Sequence, residues 1–133
     1  ASLVHPGVER GARIEVGEGV IVAAGSVLTQ RIRLGDHAHV NVGCTISHGV
    51  SLADHVTLSP AVHLAGNVAV EEGAFLGIGA NVLPGVRLGR WSIVGAGAAV
   101  IRDVAANQTV AGVPARAIST RPEGWHRAGD PAG

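Results

Sequence analysis

Residues 16–46 read VGEGVIVAAGSVLTQRIRLGDHAHVNVGCTI, and within them Val16, Val22, Leu28, Leu34, Val40 and Ile46 recur at every sixth position. The frame continues through Leu52, Leu58, Leu64, Val70, Leu76, Val82, Leu88, Val94 and Val100 without a break. Val, Leu and Ile make up 37 of the 133 residues, so chance would yield such a run roughly less than once in a million sequences. The position four residues further on accepts only small or β-branched side chains, among them Val20, Ser26, Ala38, Cys44, Val56, Ala74 and Ala80. Neither the 3.6-residue period of a helix nor an unbroken period of two accounts for both columns. Short strands broken by a tight turn every sixth residue do. Gly17, Gly35, Gly77, Gly89 and Gly95, each directly after the aliphatic position, suit backbone that bends or approaches closely at a corner.

Composition fits a thin, regular core. The chain has 20 Gly, two Trp, one Phe and no Tyr, so aliphatic side chains and alanine must fill the interior. Ten basic residues balance ten acidic ones, which leaves no basic field for nucleic acid or an anionic membrane. No apolar run reaches the roughly 18 residues of a membrane span, and the start ASLVHPGVER lacks a signal-peptide layout. Cys44 is the single cysteine, which excludes an internal disulfide framework and fits a reducing, cytoplasmic setting. The sequence does not begin with Met, which suits a trimmed chain or a piece of a longer product.

The repeat assigns residues 1–104 to the coil and residues 105–133 to a loop and tail rich in Pro, Gly and charge. A stack of turns has open ends, so this tail either caps the last turn, lies on a neighbouring subunit with Trp125 as its anchor, or frays. Four of the seven histidines fall in residues 39–60 or just before them, at 37, 39, 48 and 55. On residue type alone His48 is a solvated residue on a repetitive scaffold as readily as a base. Cys44 falls in the small inward column, where packing is its role. His37 and His55 are 18 residues apart and stack at one face.

The hexads resemble the hexapeptide-repeat acyltransferases, in which three hexads form one triangular turn. The resemblance implies an all-β, left-handed parallel β-helix of about six coils, with residues 18 apart stacked at about 4.8 Å. The left hand comes from the resemblance alone, because the period does not carry it. HPGV near the start, VNVGCTISH, LSPAVHLAGNVAV, FLGIGANVLPGVRLG, IVGAGAAVIRDV and AGVPAR are similar to one branch, the sialic acid O-acetyltransferases and nucleotide-amino-sugar N-acetyltransferases.

That resemblance implies a coenzyme A-dependent acyltransferase that moves an acyl group, in this branch acetyl, to an amino or hydroxyl group of a sugar or nucleotide sugar. His48 corresponds to the branch's general base: attack on a thioester requires the nucleophile to lose a proton, and imidazole titrates near neutral pH. Asn41 begins the same segment and would orient the acceptor. Thr57, Gly66, Ile78, Gly79, Ala96 and Arg116 would contact acetyl-CoA, with Arg116 reaching a phosphate and Arg102 and Arg121 as weaker alternatives. Backbone amides at a corner would stabilise the oxyanion. A homotrimer with sites between subunits is implied as well.

Three departures from the branch stand out. Gly49 follows the base where Asp or Glu is usual, Thr57 stands where a second His is common, and nothing before Val4 would build the branch's N-terminal α/β domain, so the chain is expected to be either a fragment of a longer product or a coil that binds its acceptor alone. They keep open a second class of function, a catalytically silent β-helical scaffold. A third class, the zinc site of gamma-class carbonic anhydrases, needs two His five residues apart, and the histidines at 5, 37, 39, 48, 55, 63 and 126 include no such pair. No metal is therefore expected. The glycines of GIGANVLPG and GAGAAV precede no amphipathic helix, so the repeat explains them better than a dinucleotide site does.

Overall fold

In a computed structural model, which describes residues 1–127, the hexads form a three-sided parallel β-helix. The first face stacks Leu3–Val4, Ile21–Val22, His39–Val40, Thr57–Leu58, Phe75–Leu76 and Ile93–Val94. The second stacks Glu9–Arg10, Val27–Leu28, Thr45–Ile46, His63–Leu64, Asn81–Val82 and Ala99–Val100. The third stacks Ile14–Val16, Ile32–Leu34, Ser51–Leu52, Ala69–Val70 and Arg87–Leu88. Consecutive strands therefore lie on different faces, and each pairs in parallel with the strand one coil away, as in Thr57 with His39 and Phe75.

The two sequence columns become the interior. Val22, Val40, Leu58, Leu76 and Val94 line up behind the first face, each almost wholly excluded from solvent. Burying one such side chain contributes roughly 1.5–3 kcal/mol. The small column, Val20, Ala38, Val56, Ala74 and Ser92, fills the space beside it. Cys44 is fully buried, its thiol donates to the Ser59 carbonyl at 3.3 Å, and burial pushes its pKa up.

The corners refine the expectation drawn from glycine. The left-handed bend falls three residues after the aliphatic position, at Gly19, Gly25, Gly43, Gly49 and their successors, and at non-glycine residues including Arg13, Arg31, His37, His55, Asn67 and Trp91. Gly17, Gly35, Gly77, Gly89 and Gly95 do not bend the chain to positive φ; the first four sit where the next coil's backbone comes close. A Cβ on Gly77 would lie 2.7 Å from the Ala96 nitrogen, and one on Gly35 would lie 2.6 Å from the Ala53 carbonyl carbon.

At the C-terminal end the coil shortens: Ile93 pairs with Thr109, and the strand Gln108–Ala111 continues the first face. Arg116–Thr120 then turns back antiparallel on it. Residues 121–127 fold onto the edge between the third and first faces. There His126 stacks on Trp91 with ring centroids 3.5 Å apart, and Glu123 pairs with Arg90 at 2.9 Å. Arg90 holds the Glu123 carboxyl below its usual range, helped by a hydrogen bond from Asn107. His126, more than Trp125, anchors the tail on the coil; Trp125 packs edge-on against His126 under the Arg121 guanidinium. Among the described residues no helix is long and apolar enough to cross a membrane.

Candidate active site

His48 lies on the edge joining the second and third faces, just after the strand Thr45–Ile46. Its side chain is exposed, and the imidazole turns toward the next coil, over Gly66. A Cβ on Gly66 would stand 2.9 Å from both Cε1 and Nε2 of His48. Glycine at 66 therefore makes room for the ring, which explains a residue that the repeat alone leaves arbitrary.

Gly49, at φ +72°, has an equally local reason. The Asn67 side chain, one coil on, fills the place that a Cβ at 49 would need. An acidic residue after His48 would collide with Oδ1 of Asn67 and strain a left-handed corner. Gly49→Asp is expected to lower stability by about 1–3 kcal/mol. The double variant Gly49→Asp/Asn67→Gly should recover most of that loss, and thermal melts of the two proteins would check it. Asn67 was missed in the sequence, although its 18-residue offset from Gly49 was the available signal.

The remaining candidates gather elsewhere. Asn41, Ile78, Gly79 and Ala96 lie along the edge between the first and second faces, and Thr57 points outward on the first face between His39 and Phe75. Asn41 is seven residues before His48, so one side of the prism, roughly 20 Å of extended chain, separates them. The Asn41 carbonyl accepts from Ser26 Oγ at 2.9 Å, and its own Oδ1 accepts from the Val42 amide at 2.8 Å, which leaves its side-chain NH2 as a donor. Arg116 shares an open groove of about 270 Å³ with Arg102 at the C-terminal end. The carboxylate beside them, Asp103, accepts from the Arg87 amide at 2.9 Å.

The corners also offer donors. At most hexads the amide two residues after the aliphatic position has no coil-to-coil partner, and on the third edge, which joins the third and first faces, acidic side chains supply one, as Asp54 does for Asp36 N at 2.7 Å. The amides of Gly66, Ile78 and Ala96 have no acceptor among the described residues. Such N–H groups suit a thioester carbonyl, an amide of a pantetheine arm or a developing oxyanion. Among the described residues no group of three or more His, Cys, Asp or Glu is arranged to hold a metal ion. His37 and His55 stack ring on ring, 5.3 Å apart, at the third edge, away from His48.

Coil, period and corner chemistry together define a three-sided parallel β-helix built from six-residue repeats. Residues 11–30 and 67–102 match the family described as hexapeptide repeat of succinyl-transferase. The chain is similar to perosamine N-acetyltransferase from Caulobacter crescentus, solved as a mutant in complex with CoA and GDP-perosamine. The identity is 40%, the TM-score 0.87, and the match covers 89% of this chain and 56% of that one. It is also similar to the acetyltransferase domain of PglB from Neisseria gonorrhoeae (32% identity, TM-score 0.86, 89% and 58% covered). WeeI from Acinetobacter baumannii is a further match (31% identity, TM-score 0.83, 85% and 56% covered). The chain thus spans little more than half the length of these solved chains. No curated protein matches it.

Proposed function

We propose that this protein is a coenzyme A-dependent acyltransferase that moves an acetyl group to an amino or hydroxyl group of a sugar or nucleotide sugar. The observation that carries the reading is the imidazole of His48 seated over Gly66, with unpaired amide donors at neighbouring corners, in a coil similar to acetyltransferases that bind CoA and GDP-perosamine. His48 accepts the proton as the acceptor nitrogen or oxygen attacks the thioester carbon. The C–S bond then breaks, and the coenzyme leaves as thiol. Amide donors hold the oxyanion in between. Arg102 and Arg116 hold a phosphate of the coenzyme at the C-terminal end.

The separation of the candidates onto two edges favours assembly. If the base edge of one chain meets the donor edge of another, a cyclic trimer completes three equivalent sites. Surface chemistry agrees: Ile21 and Phe75 on the first face, and Val42 and Ile78 on the first edge, which joins the first and second faces, are all more than 40% exposed in the single chain. The third face instead presents Glu15, Arg33, Ser51 and Arg87. Buried Cys44, with its raised thiol pKa, takes no part as a nucleophile.

Acetyl-CoA offered with a panel of amino sugars, free and nucleotide-linked, should give acceptor-dependent thiol release. Absence of release together with absence of coenzyme A binding would overturn this reading and leave a silent scaffold in its place.

A further inference from the structure

Three arginines stand on the N-terminal side of His48 with no established task. Arg13 and Arg31 occupy the bend position of the same edge, two coils and one coil before Gly49, so the three bends stack at about 4.8 Å per coil. Arg33 projects from the adjoining third face, in register between Glu15 and Ser51. All three are exposed, and none has an ion-pair partner among the described residues. They line an open groove of about 360 Å³ that ends at Gly49, beside His48. Glu15 is the carboxylate in that lining, set against three permanent positive charges.

Both bend arginines adopt a left-handed backbone, φ 60° and 54°, where glycine or asparagine costs least. A long cationic side chain at that bend projects from the edge rather than into the core. The spacing of Arg31 and Arg13 along the edge suits two linked phosphates, and guanidinium forks bind such oxygens in pairs.

We infer that this groove binds the diphosphate of a nucleoside-diphosphate sugar acceptor, with Arg13 and Arg31 on the phosphates and Arg33 at their flank, so that the sugar reaches His48. The inference deepens the acyltransferase reading and rests on it. The diphosphate belongs to the acceptor and not to coenzyme A for a geometric reason. The residues proposed to hold a coenzyme phosphate, Arg102 and Arg116, lie at the opposite, C-terminal end of the coil, and they do so whether the donor edge is this chain's own or a neighbour's. Binding by the coil itself supplies an acceptor contact that does not depend on residues outside this chain.

The test is titration of inorganic pyrophosphate and of GDP into the full chain, followed by phosphorus NMR line broadening. The wild-type protein is compared with Arg13→Asn/Arg31→Asn, in which asparagine keeps a residue that tolerates the left-handed bend. The expected result is saturable binding by the wild type, weakened about tenfold or more in the variant and by added salt, with coenzyme A affinity unchanged. With a GDP-linked amino sugar the variant should raise KM and leave kcat alone, while transfer to the free amino sugar is unaffected. Pyrophosphate binding that is absent, or equal in both proteins, overturns the site. Loss of coenzyme A affinity in the variant gives the groove to the donor and overturns the acceptor assignment. Absence of both acetyl transfer and coenzyme A binding in the wild type, with pyrophosphate binding intact, sinks the acyltransferase reading and leaves the anion site standing.

Discussion

Replacing His48 by alanine is expected to lower acceptor-dependent thiol release by about 10²–10⁴-fold, the usual contribution of a positioned general base. Coenzyme A affinity should stay within about twofold, because in the proposed reaction the imidazole meets the acceptor's proton and not the donor's phosphates. The fold should be untouched, since His48 is exposed and only its backbone carbonyl joins the coil, accepting from Asn67 N at 2.9 Å. A melting temperature equal to wild type, with release abolished, would separate chemistry from stability. Unchanged release would remove His48 from the reaction and return it to the solvated scaffold residue that its type alone suggests.

Gly66 supplies an independent check on the same ring. Gly66→Ala puts a methyl 2.9 Å from Cε1 and Nε2 of His48, and the imidazole must rotate away. Activity should fall while the coil, whose core lies on the other side of the corner, stays folded. Cys44→Ala is the opposite control: the thiol is buried and held protonated, so release should change little beyond any effect of a small core gap.

The coil was legible because burial is periodic. The aliphatic position from Val22 to Val100 and its small companion four residues on are both wholly inward, and a hexad that buries two side chains in six leaves that imprint at any length. Corners were harder. Gly77 and Gly79 are both glycine, yet the first is there because Ala96 crowds it and the second because the chain bends at φ +71°. Residue type does not distinguish the two causes. A contact between coils links residues 18 apart, and Asn67 over Gly49 becomes visible only once that offset is known. The arginines were hidden for a related reason: a net charge of zero over the chain conceals a local excess that appears when Arg13, Arg31 and Arg33 are folded beside one another. His48 was singled out by its segment, but its separation from Asn41, Ile78 and Ala96 across one side of the prism is a property of the triangle, not of the motif.

That separation predicts complementation between two inactive proteins. On the proposed roles, His48→Ala removes the base and leaves the donor edge intact, while Ala96→Trp obstructs the donor edge and leaves the base intact. Each alone should release almost no thiol. If a site joins the base edge of one chain to the donor edge of its neighbour, unfolding and refolding the two variants together in equal amounts creates interfaces at which both edges are wild type. Random assortment makes about one interface in four of that kind, so activity should return to about a quarter of the wild-type value. Mixing without subunit exchange should restore nothing, which guards against trace contamination. If every site lay within one chain, no mixture could exceed the sum of its parts, and the refolded sample would stay inactive. The two edges are about 20 Å apart along the coil, farther than a proton or an acetyl group crosses in one step, so a single chain holding both partners of the reaction would need an acceptor and a thioester that wrap around a face. Recovery to a quarter would instead place each reaction between chains, with the apolar first face and first edge turned toward a neighbour and the charged third face left to water.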